Sequence, residues 1–246
     1  MIYFFSGSPA HQKLLKPAGA KNFLFSYFTE PNYPLRYANP EGKTIIDSGA
    51  FSAWNSGAKL NIEDYKNYCM KLPIEWTFVN MDTIPETGSG QKEIERCAYA
   101  SLDNYLYLKK HLKNVLPVYH YGENFSWMYA YQRHTDYIGV SPANDIKEQV
   151  KRTWLKWVFG QFDYRKIRTH AFGYSSFVGM TLFPFYSVDS ISYKRIYMYY
   201  PQEECYVPFY ASSKTEFLAI RRINKYIEAE QLITQLWKSR GIEWNI

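Results

Sequence analysis

Residues 44–54, TIIDSGAFSAW, decide how the rest of the chain is interpreted. A short apolar run ends in the carboxylate of Asp47, and a turn of small residues then precedes the ring of Phe51. A buried strand that ends in this way delivers its acidic side chain into a turn. The stretch therefore predicts one edge of a pocket for a flat polar ring.

Seven other runs resemble this one, because they are rich in β-branched and aromatic residues and are bounded by turn residues. With it they make eight predicted strands: 2–6, 22–27, 44–49, 76–82, 115–121, 137–141, 167–173 and 185–190. Several are continuously apolar, which favours parallel strands that are covered on both faces.

Segments of helical character separate these strands. They cover residues 61–70, 91–112, 126–133 and 146–159, and residues 214–238 predict a C-terminal helix or pair of helices. Eight βα units predict a closed (β/α)8 barrel with irregular first units and an irregular 172–185 connection. An open doubly wound α/β sheet is the alternative. We expect one domain over residues 1–246, with C-terminal helices at about 212–239.

The composition restricts the class of protein. The 246 residues carry a net charge of +6, which favours an anionic partner, although an ordinary basic protein has the same balance. The three cysteines are far apart, which favours a reducing cytoplasm. No stretch has the length of a membrane span or the pattern of a signal peptide, so we expect a cytoplasmic protein without a membrane partner.

Polar side chains recur where the predicted strands end, which is the edge at which barrel active sites are built. They are Asp47, Asp82, His120, Ser141 and Asp189, and Gly173 lies at another of these strand ends. Each carboxylate alone could be a helix cap or a loop ion pair. Three carboxylates on one rim favour an active site instead. Crowding raises the pKa of some carboxyl groups, so that one holds a proton while another stays nucleophilic, as in retaining glycosidic chemistry.

The sequence offers no metal site and implies no cofactor. Its five histidines show neither HxH nor HExxH spacing. Basic residues cluster around Lys151 and Arg152, where tryptophans are interleaved, and again from Lys194 and Arg195 onward. Such clusters could hold phosphates, and solvated helix faces are the alternative interpretation.

Four short motifs resemble those of the tRNA-guanine transglycosylases, the queuine and archaeosine type enzymes. DSGAF at 47–51 resembles their DSGGF, and NMDTIP at 80–85 is similar to their FDECTP. HAFGYS at 170–175 and SVDSIS at 187–192 match, in order, the segments with a base-stacking residue and the nucleophilic aspartate. The family's fold is a (β/α)8 barrel, in agreement with the strand count.

The resemblance implies a role for each matched residue. Asp189 would be the nucleophile on C1′ of the nucleoside, Asp47 the acid/base group, and Asp82 the reader of the guanine Watson–Crick edge. Phe51 and Phe172 would stack on the base beside the turn of Ser48 and Gly49. The carried-over positions His120, Gly139, Ser141 and Gly173 complete the implied base-binding set.

The differences between this sequence and the family's motifs restrict which branch of the family it resembles. The CxCxxC and His zinc site has no counterpart, Ala50 replaces the second Gly of the motif, and the chain is much shorter than the tRNA enzymes. A compact chain without zinc is more like the phage and bacterial branch that inserts 7-deazaguanine bases into DNA. The expected partners are therefore DNA, with tRNA as the alternative, a free preQ0-like 7-deazaguanine base, and a helper protein that opens the duplex. A catalytically inactive nucleic-acid-binding barrel is the third hypothesis.

Overall fold

The computed structural model describes residues 1–7, 14–86, 88–143, 146–191 and 214–244. Two of the predicted nucleic-acid-binding residues, Lys194 and Arg195, lie outside these ranges. No helix within them is long and apolar enough to cross a membrane.

Nine strands in the described residues form one sheet, and every neighbouring pair is parallel. They are β1 (Ile2–Ser6), β2 (Phe23–Ser26), β3 (Thr44–Asp47), β4 (Thr77–Val79), β5 (Val115–Leu116), β6 (Val118–His120), β7 (Tyr137–Ser141), β8 (Arg168–Ala171) and β9 (Ser187–Ser190). Their order is β5-β4-β3-β2-β1-β9-β8-β7-β6.

The two outermost strands of this order are consecutive in the chain and are separated only by Pro117. Val115–Leu116 pairs with β4 and Val118–His120 pairs with β7, while the carbonyl of Pro117 accepts a hydrogen bond from Gly139 N at 2.8 Å. Proline has no N–H to donate to a ladder, so it divides one predicted strand into two. The predicted α/β barrel is thereby confirmed, nearly closed at this point, and the open doubly wound sheet is wrong.

Helices alternate with the strands. The structure has α1 (Pro34–Tyr37), α2 (Ala50–Asn55), α3 (Ile62–Cys69), α4 (Gln91–Lys109), α5 (Ser126–Gln132), α6 (Glu148–Phe159), α7 (Phe177–Leu182) and α8 (Lys214–Ser239). The five predicted helices are present within a few residues at each end, and α8 is one helix and not a pair. The short helices α1, α2 and α7 were not predicted, because four to six residues hold too little periodicity to be recognised.

The core is unusually aromatic. Tyr3 and Phe5 of β1 are fully buried, and Tyr3 stacks on Tyr226 of α8 with ring centroids 4.7 Å apart. Helix α8 also accepts the Tyr3 N–H through Glu230 Oε2 at 2.9 Å. The C-terminal helix therefore packs against the first strand, on the outside of the barrel.

Candidate active site

A cavity of about 370 Å³ opens at the carboxyl ends of the strands. Nine of the predicted site residues line it: Asp47, Ser48, Phe51, Asp82, His120, Ser141, Phe172, Gly173 and Asp189. The three carboxylates thus meet in one cavity, as expected for strand ends on a common rim of a parallel barrel. The volume falls within the usual range for small-molecule sites.

The turn after β3 fixes Asp47 at the cavity. Gly49 has φ 76° and donates its N–H to Asp47 Oδ1 at 3.2 Å. A Cβ at Gly49 would lie 2.5 Å from Phe28 Cβ and 2.7 Å from Ser26 Oγ, so both the backbone conformation and the space require glycine. Ser48 Oγ donates to the Asn80 carbonyl at 2.9 Å and ties this turn to the end of β4.

Burial raises the pKa of Asp47 to about 6, against a smaller opposing effect of the Gly49 N–H, and the charges of Asp189 and Asp82 raise it further. A carboxyl group with this pKa exchanges a proton readily near neutral pH. Asp47 therefore has the properties of a general acid and base.

Asp82 is held by two donors. Its Oδ1 accepts from Asn80 Nδ2 at 2.8 Å, and its Oδ2 lies 3.1 Å from His120 Nε2. Asn80 is fully buried and also donates to the Ser101 carbonyl of α4 at 2.9 Å. The Asp82 side chain is only 8% exposed, so this pairing fixes its orientation towards the cavity.

Glu123 joins the pair from the other side of His120. Its Oε2 accepts the backbone N–H of His120 at 3.0 Å, and it lines the same cavity. Burial lowers the pKa of His120, but the hydrogen bond to Asp82 and the charges of Asp82 and Glu123 outweigh it and raise the pKa to about 9. Burial raises the pKa of Glu123 to about 7, in spite of its favourable contacts with His120.

Replacing Glu123 by Gln is expected to flatten the pH dependence of stability. The pKa of Glu123 is about 7 in the folded chain, above the ordinary 4.5, so the folded chain keeps a proton that the unfolded chain releases. The free energy of unfolding therefore falls as pH rises from about 4.5 to 7. Glu123→Gln removes this titration and should reduce the fall by about 1–2 kcal/mol, measured by urea denaturation at pH 4.5, 6 and 7.5.

The matched control is Glu86→Gln, since Glu86 is exposed and outside the cavity. It should leave the pH profile unchanged. A Glu123→Gln profile parallel to that of the wild type would show that folding does not raise the pKa of Glu123.

Asp189, like Asp82, has a hydrogen-bond partner on each of its carboxylate oxygens. Its Oδ2 accepts from Ser6 Oγ at 2.8 Å, and its Oδ1 accepts from Gly173 N at 2.9 Å. Gly173 has φ 61°, a conformation that glycine adopts at little cost. Donors on both oxygens fix the orientation of the Asp189 carboxylate.

A buried chain of hydrogen bonds ends at His170, next to Asp189. Tyr137 OH lies 2.6 Å from Ser187 Oγ, which lies 2.8 Å from His170 Nδ1. His170 is fully buried, and its Nε2 is 3.4 Å from Asp189 Oδ1 without the geometry of a hydrogen bond. We assign the tautomer with the proton on Nε2, because a lone pair there would face the Asp189 carboxylate.

Two phenylalanine rings line the cavity together with aliphatic residues such as Val79 and Ile94. Phe51 is 53% exposed on α2, and Phe172 lies after β8 with its ring centroid 4.4 Å from that of His170. Gly139 of β7 lies behind Phe172, and a Cβ there would come within 2.5 Å of the ring. The absence of a side chain at Gly139 therefore leaves room for the Phe172 ring.

The predicted basic residues of α6 do not line the cavity. Arg152 Nε bonds to Glu148 Oε1 at 3.0 Å, and Lys151 lies on the same helix. The sequence also missed residues of the site. Ser6 ends the predicted strand 2–6 and was not identified as a partner of Asp189. Glu123 was not singled out because its role depends on the fold of the loop after β6. His170 was noted only as part of the motif that contains Phe172.

Comparisons with known proteins add no assignment. A scan of the chain against protein-family models gives no match, and a search of curated proteins gives no significant similarity.

Proposed function

We propose that this protein is a base-exchange transglycosylase that replaces guanine in DNA by a 7-deazaguanine. The observation that supports it best is the meeting of Asp47, Asp82 and Asp189 in one cavity that the rings of Phe51 and Phe172 also line. Each carboxylate has a different environment, which suits three different roles.

In the first half-reaction an Asp189 carboxylate oxygen attacks C1′ of the nucleotide. The C1′–N9 bond breaks, its electron pair passes to N9 of guanine, and Asp47 donates a proton to the leaving base. The product is an ester between Asp189 and the sugar. Ser6 and Gly173 hold the attacking carboxylate in a fixed orientation, which lowers the entropic part of the barrier.

In the second half-reaction a 7-deazaguanine takes the place of guanine. Asp47 removes the N9 proton, N9 attacks C1′, and the C1′–oxygen bond breaks to restore the Asp189 carboxylate. Two inversions give net retention at C1′. The pKa of about 6 at Asp47 suits both the donation and the removal of a proton.

Recognition of the base follows from the chemistry of Asp82 and His120. Guanine presents N1–H and N2–H donors on its Watson–Crick edge, which a carboxylate accepts well. His120, with its pKa of about 9, is protonated at neutral pH and supplies a donor for a carbonyl oxygen. Adenine, with the opposite pattern on this edge, leaves these groups unpaired.

The assignment of DNA as the substrate polymer rests on fewer observations than the assignment of the base. A target base must leave the duplex to enter a cavity of this size, which costs a few kcal/mol and makes a helper protein or a single-stranded region useful. Lys151, Arg152, Lys194 and Arg195 are the basic residues proposed for the flanking phosphates, and phage and bacterial DNA modification in the cytoplasm is the proposed setting.

The decisive assay incubates the protein with labelled preQ0 or guanine and either DNA or tRNA. The polymer is digested to nucleosides and analysed by mass spectrometry. Label in deoxynucleosides supports the proposal, and label only in ribonucleosides supports the tRNA alternative. Salt-dependent binding without incorporation or a covalent adduct would instead support an inactive nucleic-acid-binding barrel.

Replacing Gly139 by Ala is expected to weaken base binding through Phe172. The added methyl group would come within 2.5 Å of the Phe172 ring and 3.2 Å of the Pro117 carbonyl, so the ring has to move. Overpacking of this kind costs about 1–3 kcal/mol. Affinity for 7-deazaguanine, measured by calorimetry, should fall about tenfold. Gly90→Ala is the control, since a Cβ there meets no atom within 4 Å; equal affinities in the two variants would contradict a stacking role.

A further inference from the structure

A second cavity, of about 630 Å³, lies at the opposite, amino-terminal mouth of the barrel. Its walls come from residues that precede or begin the strands, among them Lys43 before β3, Lys113 before β5, Arg168 at the start of β8 and Tyr186 before β9. None of these residues lines the cavity that contains Asp189. The proposed base-exchange reaction therefore does not use this second cavity.

Arg168 is a cation of this mouth that is held from several sides. Its guanidinium carbon lies 5.3 Å from the ring centroid of Tyr137 and 5.1 Å from that of Tyr186. Asp136 Oδ1 accepts from Arg168 Nη2 at 2.9 Å. Two rings and one carboxylate hold the guanidinium plane, while its side chain remains 36% exposed. A fixed, partly exposed guanidinium has the donor geometry that binds the oxygens of a phosphate.

Three lysines line the same cavity. Lys43 Nζ donates to Tyr186 OH at 3.3 Å, and Lys109 Nζ donates to the His134 carbonyl. Lys113 is exposed before β5. Four cations thus face two carboxylates, Glu75 and Asp136, and the latter is engaged by Arg168. With His134 neutral the lining carries a net charge of +2, an excess that favours an anionic ligand.

We propose that the amino-terminal mouth binds the phosphate group of a small phosphorylated molecule. The guanidinium of Arg168 supplies the directional contact, and Lys43 and Lys113 supply charge at the rim. The partly exposed ring of Tyr137 beside Arg168 offers a surface for an organic part of the ligand. A concave cavity of this volume encloses a small molecule, whereas a phosphate within a long polymer favours an open groove.

The test measures binding of inorganic pyrophosphate to the full-length protein by calorimetry at low salt. The wild type should bind, and the double variant Lys43→Ala/Lys113→Ala should bind at least tenfold more weakly. Both side chains are exposed, so the variant should fold, and circular dichroism checks this. Lys59→Ala/Lys92→Ala is the control with the same loss of charge on exposed residues outside both cavities. No binding at millimolar pyrophosphate, or equal binding by the two double variants, would overturn the proposal.

Two further arms identify the source of the phosphate and separate this site from the active site. A short single-stranded oligonucleotide that displaces pyrophosphate at equal phosphate concentration would show that nucleic acid is the ligand, against the proposal. A nucleoside monophosphate that binds more tightly than inorganic phosphate would support it. Asp189→Asn should bind pyrophosphate like the wild type, so the site can be confirmed even if base exchange is not.

Discussion

We expect Asp189→Asn to abolish base exchange and covalent trapping and to leave nucleic-acid binding nearly intact. The amide keeps the shape of the carboxylate and one oxygen that can accept from Gly173 N, now 2.9 Å from Asp189 Oδ1. An amide oxygen is a poor nucleophile, however, so the ester with C1′ does not form. Incorporation of labelled base should fall by at least roughly 10³-fold.

The measurement combines incorporation kinetics with a denaturing gel that detects the covalent adduct. Asp103→Asn is the matched control, because Asp103 is an exposed aspartate on α4. It should incorporate base at the wild-type rate. Persistent incorporation by Asp189→Asn would show that another group attacks C1′, and the assignment of the nucleophile would be wrong.

Asp82→Ala is expected to have the second-largest effect, on both selectivity and stability. The change leaves His120 Nε2 without its partner and removes one of the two acceptors of the buried Asn80 amide. Unpaired buried donors cost on the order of 2–3 kcal/mol. Discrimination between guanine and adenine, expressed as the ratio of kcat/KM, should fall by about 10²-fold, because the acceptor proposed for the guanine edge is gone.

Asp82→Asn separates the two effects. Its amide oxygen can still accept from His120 or from Asn80, so the loss of stability should be smaller, while the added amide donors oppose those of guanine. Denaturation and competition kinetics on both variants make the comparison. Unchanged preference among purines in Asp82→Ala would show that the residue serves only the structure.

The fold could be predicted largely from the sequence because its strands carry a strong local signal. Apolar runs such as residues 44–47 end at turn residues, and helices such as α4 have a clear apolar face. The division of the fifth strand at Pro117 depends on which neighbour each half bonds to, which no local pattern contains. The three short helices could not be predicted for a similar reason, since their ends are set by contacts such as Ser176 Oγ accepting from Gly179 N.

The candidate site was predictable to the extent that it follows from strand ends. Asp47, Asp82 and Asp189 each end an apolar run, and parallel pairing brings such positions to one rim. The partners of these carboxylates were not predictable. Ser6 contacts Asp189 across 183 residues of chain, and the hydrogen bonds from His170 through Ser187 to Tyr137 depend on the inward direction of side chains on three strands.

Pro117 makes the barrel mechanically uneven. The strand divided at Pro117 pairs with β4 through Val115–Leu116 and with β7 through Val118–His120, so neither half bonds to both neighbours. The barrel is therefore closed through the two halves of this divided strand. Hydrogen exchange at the Gly139 amide, which donates to the Pro117 carbonyl, reports how often the strands separate at this point. Because His120 ends the second half and lines the cavity, each opening would also displace His120 relative to Asp82.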